Sequence, residues 1–180
     1  MKNINGITLL FFALLLLVST GVYAQDKEKD RGYIVEVGQM APDFTVAITE
    51  GKTFKLSDCR GKVVMLQFTA SWCGVCRKEM PHIESEIWQL LKDKDFMLIG
   101  LDRDEPKDVV EAFAKKMSIT YPLAPDSDSK VFCMYALKNA GVTRNVIVDK
   151  DGKIVYLTRL YDEKEFSAMK EMIFKLVEKK

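Results

Sequence analysis

Trp72-Cys73-Gly74-Val75-Cys76, reached from the apolar run Lys62-Val63-Val64-Met65-Leu66-Gln67-Phe68-Thr69, decides how this chain is read. The run is compact and rich in β-branched and large apolar residues, the composition of a strand buried in the middle of a sheet. Two cysteines spaced C-x-x-C directly after it suit the opening turn of a helix. There the unpaired N–H groups and the positive end of the helix dipole stabilise a thiolate on the first sulfur. The second cysteine, one turn on, is within reach of a mixed disulfide formed by the first, so the spacing encodes a two-step exchange. A structural disulfide and half of a zinc site use the same spacing. Zinc needs about four ligands, whereas the single histidine, His82, lies six residues past Cys76 and there is no second C-x-x-C. No metal is therefore expected.

The N-terminus fits a redox-permissive compartment. Lys2, the apolar run Ile7 to Val18 and Val22-Tyr23-Ala24 read as a secretory signal peptide over 1–24, cleaved before Gln25. The competing reading is an uncleaved membrane anchor, against which the apolar core is shorter than the roughly 20 residues a spanning helix needs; no later segment is apolar enough to span, so no membrane span is expected in the mature chain. The expected location is outside the inner membrane, in the periplasm, where disulfides persist. Residues 25–37, with Asp26-Lys27-Glu28-Lys29-Asp30-Arg31, read as a solvated linker, and 38–180 as one domain. A net charge of +1 offers no electrostatic case for nucleic acid.

Periodicity predicts an alternating order. Phe44 to Thr49 and Thr53 to Leu56 form a hairpin across Glu50-Gly51-Lys52. The strand 62–69 leads into a helix from Cys73 to about Leu91, kinked at Pro81. A strand at 96–101, a helix at 106–117 opened by proline, a short segment 121–123 and a helix from about Ser129 to Leu137 follow. Strands 145–149 and 153–158 turn at Lys150-Asp151-Gly152, and an amphipathic helix spans 163–177. The expected class is α/β, a mixed central sheet with helices on both faces and an N-terminal β-hairpin.

Four segments in order carry a resemblance: Gly38-Gln39-Met40-Ala41-Pro42-Asp43-Phe44, Leu56-Ser57-Asp58-Cys59-Arg60-Gly61-Lys62-Val63-Val64, Ala70 to Pro81 around the C-x-x-C, and Val148-Asp149-Lys150-Asp151-Gly152-Lys153-Ile154. With them the chain resembles the TlpA/ResA-like group of exported thiol-disulfide oxidoreductases of thioredoxin fold, from about Gly38 to the C-terminus. The resemblance implies Cys73 as the exposed attacking thiol, Cys76 as the buried resolving thiol and a redox disulfide between them. It implies Trp72 as an aromatic wall beside the site, protein disulfides as substrates, no cofactor and a DsbD-like membrane thiol carrier as donor. Reduction is the direction it suggests. Core packing is the other reading of Trp72, and Arg77, Lys78, Glu79 and His82 are expected at the surface.

Two departures stand out. The group places a cis-proline opposite the C-x-x-C, and aligning Val146-Ile147-Val148-Asp149 puts Thr143 there. A cis bond before a non-proline residue costs about 2.5–4 kcal/mol, so Val142–Thr143 is expected trans. Val142 and Thr143 are still expected to face the site and offer backbone to an extended substrate. The acidic residues found in thioredoxin itself six positions before the first cysteine, and often between the cysteines in cytochrome-maturation members, are also missing. Gln67 stands six residues before Cys73, Gly74 and Val75 lie between the cysteines, and no general base for Cys76 is visible.

Cys59 and Cys133 are expected as small core residues, with a bridge between them as the rival. Other classes remain: a non-enzymatic or metal-binding module of the same fold, and a peroxiredoxin-like peroxidase. Against the last, Thr69 lies four residues before Cys73 and no P-x-x-x-T-x-x-C pattern is present.

Overall fold

The computed structural model describes residues 31–49 and 51–179; the expected signal peptide, 1–24, and the linker residues 25–30 lie outside them. The all-buried segment Val63–Thr69 is the central strand, β3, as an unbroken apolar run requires. Around it the five-stranded sheet runs β5-β4-β3-β6-β7, with β4 at Phe96–Arg103, β5 at Leu123–Asp126, β6 at Arg144–Val148 and β7 at Ile154–Arg159. β3, β4 and β5 are parallel, while β6 is antiparallel to both β3 and β7. β1 (Thr45–Ala47) and β2 (Thr53–Lys55) form a separate antiparallel hairpin. This mixed sheet is a thioredoxin fold.

Among the described residues, α1 (Gly74–Ile83, continued to Leu91), α2 (Lys107–Met117) and α3 (Phe132–Tyr135) connect strands, and α4 (Glu163–Glu178) follows β7. α1, α2 and α4 cover one face through Met80, Ile83, Val110, Phe113, Phe166 and Ile173. The hairpin, α3 and the N-terminal segment cover the other through Phe44, Phe54, Phe132, Tyr135 and Tyr33. Among the described residues no helix is long and apolar enough to cross a membrane.

Two sequence expectations change. Residues 31–37 are part of the folded body rather than a linker, because Tyr33 and Val35 are each only 2% exposed. The Tyr33 hydroxyl donates to the carbonyls of Thr158 (2.5 Å) and Asn145 (3.2 Å), and Arg31 pairs with Glu165 at 2.7 Å. Mixed charge hid two apolar anchors two residues apart. The helix expected over 129–137 shrinks to α3, since Asp126 takes the Val131 and Phe132 N–H groups and Ala136 leaves in extended conformation to bridge Tyr33. α1 runs past Pro81 to Leu91, the extent expected from the sequence. It continues through a π turn, Glu84–Trp88, into Gln89–Leu91, a wider turn directly after the residue that lacks an N–H.

Candidate active site

β3 delivers the chain to a tight turn, Ala70 to Trp72, and α1 begins immediately after it. Cys73 is the N-cap, extended in backbone, and its sulfur accepts the Cys76 N–H at 3.2 Å. The two sulfurs are joined as a disulfide with Cα atoms 5.3 Å apart. Cys73 is itself buried, at 7% exposure rather than exposed as expected, because Thr143 and the start of α1 pack against it; it is still the more accessible of the pair, since Cys76 has none.

The turn itself is held from three directions. Glu105 accepts the Ser71 N–H at 2.6 Å and its hydroxyl at 2.5 Å, while Arg77 donates to the Ser71 carbonyl at 2.6 Å. Arg77 thus spends its guanidinium on the turn. Asp102 is fully buried near the end of β4, with the Glu105 carboxyl beside it. Burial and the neighbouring Glu105 push its carboxyl up to about 8, so it is protonated at neutral pH. Trp72 is not core: it stands 59% exposed beside Cys73.

Thr143 lies against the disulfide. Its hydroxyl is 3.1 Å from Cys73 Sγ and 3.2 Å from Cys76 Sγ, and no cis peptide bond occurs among the described residues. Val142 is buried beside it, and the Thr143 carbonyl accepts the Leu160 N–H at 3.1 Å. That carbonyl is therefore committed within the fold.

The expectation of a surface Glu79 fails: it is 1% exposed. One turn after Cys76, it lies on the α1 stripe formed by Cys76, Met80 and Ile83, which faces the sheet. Asn145 on β6 donates to Glu79 Oε1 at 2.7 Å and to the Thr158 hydroxyl at 2.9 Å. Burial pushes the Glu79 carboxyl up to about 7, against the Asn145 and Gln67 amides, which favour its ionised form. Gln67 is fully buried and its carbonyl accepts the Tyr121 hydroxyl at 2.8 Å. The sequence held only an indirect hint: Asn145 is a polar residue beside the apolar run Val146-Ile147-Val148, and a polar group buried there needs a partner, but nothing in the sequence named Glu79 as that partner.

The remaining candidates lie away from this centre. His82 is half-exposed, pairs with Glu86 at 2.8 Å and stacks on Tyr161 at 5.3 Å. Cys59 and Cys133 are both free thiols at the rim of the core under the hairpin, and burial pushes the Cys59 thiol up.

The sequence matches the AhpC/TSA family over residues 37–157. It is 35% identical over 155 residues to the thiol-disulfide oxidoreductase ResA of Bacillus cereus, covering 82% of this chain and 85% of that one. Among solved structures, a Bacteroides thetaiotaomicron protein proposed to be a protein disulfide isomerase superposes with a TM-score of 0.80 at 59% identity, over 82% of this chain and 94% of that one. A Chlorobium tepidum protein proposed to be the thiol:disulfide interchange protein DsbE superposes with a TM-score of 0.71 at 25% identity, over 79% and 99% of the two chains.

Proposed function

The chain belongs to the AhpC/TSA family and to the thiol-disulfide oxidoreductases within it, and from that premise we propose that Cys73 attacks the disulfide of a protein substrate and Cys76 resolves the product. The observation that carries the order of attack is the asymmetry of the pair. Cys73 caps α1 and keeps the small exposure of the pair, and Cys76 is sealed one turn inside. In the reduced protein the Cys73 thiolate receives the Cys76 N–H, the helix dipole and the Thr143 hydroxyl, all of which favour negative charge.

Attack forms a Cys73–substrate disulfide and releases one substrate thiolate. Cys76 then loses its proton and attacks Cys73 Sγ, which releases the second substrate thiolate and closes the Cys73–Cys76 disulfide. The two electrons that reduce the substrate come from the dithiol. Glu79 is the proton acceptor we assign to Cys76: it is buried on the same helix stripe, and its carboxyl, raised to about 7, accepts and returns a proton near neutrality. It supplies the base that neither Gln67 nor the Gly74-Val75 pair provides.

Val142 and Thr143 line the substrate side with Trp72. Because the Thr143 carbonyl is taken by Leu160, pairing with an extended substrate falls to the peptide groups of Val142. We further propose that the protein works as a reductant outside the inner membrane, recharged by a DsbD-like membrane thiol carrier. The test is the equilibrium potential of the dithiol together with insulin reduction. A potential near about −270 mV supports a reductant, whereas one near about −120 mV would make it an oxidant. Retention of insulin reduction by Cys73→Ser would remove Cys73 from the first step.

A further inference from the structure

The loop that carries Val142 and Thr143 has one internal backbone hydrogen bond, from the Ala140 N–H to the Leu137 carbonyl at 2.8 Å. Leu137, Lys138, Asn139 and Gly141 are exposed, and only at Val142 does the chain re-enter the core. Its carbonyls instead converge on two arginines from different strands. Arg103, at the end of β4, donates Nη2 to the Lys138 carbonyl at 2.7 Å and Nη1 to the Ala140 carbonyl at 3.1 Å. Arg144, the first residue of β6, donates Nε to the Gly141 carbonyl at 2.9 Å.

Both guanidiniums are fixed from behind. Arg103 lies 4.1 Å above the Phe132 ring and pairs with Asp104 at 2.8 Å and the Ser129 hydroxyl at 3.2 Å. Arg144 is fully buried, 4.6 Å above the Tyr33 ring. The N-terminal segment closes the outer side, where the Gly32 carbonyl accepts the Leu137 N–H at 3.0 Å. A Cβ at Gly32, whose φ is +77°, would sit 3.0 Å from Ala140 Cβ and 3.1 Å from Arg144 Nη2, so the segment approaches as closely as glycine permits.

We propose that Arg103 and Arg144 form a guanidinium clamp on the carbonyls of Lys138, Ala140 and Gly141 that positions the Thr143 hydroxyl against both active-site sulfurs. The clamp gives this loop, by charged hydrogen bonds, the fixed geometry that a proline ring gives the corresponding loop of the resembling group. Arg144 is covalently next to Thr143, and a fully buried guanidinium costs more than an apolar residue of similar size unless its hydrogen bond is needed. Both arginines act through Thr143 and are positioning residues.

The inference rests on Cys73 being the attacking thiol, and the test separates the two. In the reduced full-length protein, alkylation of Cys73 by iodoacetamide is followed against pH with peptide mapping, for wild type, Thr143→Val, Arg103→Gln and the double variant. Arg103 is chosen because its side chain reaches the surface, unlike that of Arg144. Thr143→Val should move the profile to higher pH and slow alkylation at pH 7 by about threefold or more, since a donor to the thiolate is lost. Arg103→Gln should move it in the same direction, and the double variant no further than Thr143→Val alone. Arg103→Lys, which keeps one carbonyl contact, should fall between, and it carries the comparison if Arg103→Gln does not fold. An Arg103→Gln profile superimposable on wild type, or shifts that simply add, would overturn the clamp. A wild type in which Cys73 is not the thiol alkylated would instead overturn the assignment of the nucleophile.

Discussion

Glu79 places an ionisable group where the fold pays for its charge. Its carboxyl is raised from the ordinary 4.5 to about 7, so between those values the folded protein holds a proton that the unfolded chain has released. Stability is therefore undiminished below about pH 4.5 and declines as pH rises through 7, by up to about 3 kcal/mol in total. Glu79→Gln keeps an acceptor for Asn145 and removes the charge. Urea unfolding should find it equal to wild type at pH 4.5 and more stable at pH 8, while resolution of a Cys73 mixed disulfide slows by about 100-fold. A pH-independent stability difference would mean that Glu79 does not titrate in this range. At Thr143, replacement by proline removes the hydroxyl from both sulfurs. Thr143→Pro should change exchange rates and the range of disulfides reduced more than it changes the denaturation midpoint, and wild-type exchange with every disulfide tried would contradict the placement of this loop. Cys73 and Cys76 were legible because their spacing is itself the chemistry. Glu79 was not, because a glutamate at i+3 on a helix looks the same whether its face is wet or buried until the partner on β6 is known.

At the scale of elements, strand β3, the hairpin and the order of strands and helices follow from apolar periodicity and turn residues. What periodicity missed depends on long-range partners. α3 is short because Asp126 intercepts its first N–H groups, and the N-terminal segment is ordered because Tyr33 finds carbonyls on β6 and β7. Tyr33→Ala should cost about 3–5 kcal/mol in chemical denaturation, the range for deleting a buried aromatic, and should loosen the loop that Arg144 holds. A loss below about 1 kcal/mol would show that the segment is dispensable. Cys59 and Cys133 belong to the packing beneath the hairpin. A Cys59→Ala, Cys133→Ala variant should retain full insulin reduction and lose about 1–2 kcal/mol of stability. Loss of activity with an unchanged circular dichroism spectrum would give one of them a part in the exchange.

For the whole molecule, the sheet's job is placement. β3 feeds the turn that ends in Cys73, β4 supplies Asp102 and Arg103 beside that turn and its neighbouring loop, and β6 begins with Arg144 and Asn145 directly after Thr143, so the ends of three adjacent strands surround one pair of sulfurs. The most direct measurement is mixed-disulfide trapping: reduced Cys76→Ser is mixed with a folded protein carrying an accessible disulfide, and the adduct is digested and mapped by mass spectrometry. The expected result is a substrate joined to Cys73, and no stable adduct from the reduced Cys73→Ser protein. A substrate joined to Cys59 or Cys133, or one captured by Cys76 in the Cys73→Ser protein while Cys76→Ser yields nothing, would contradict it.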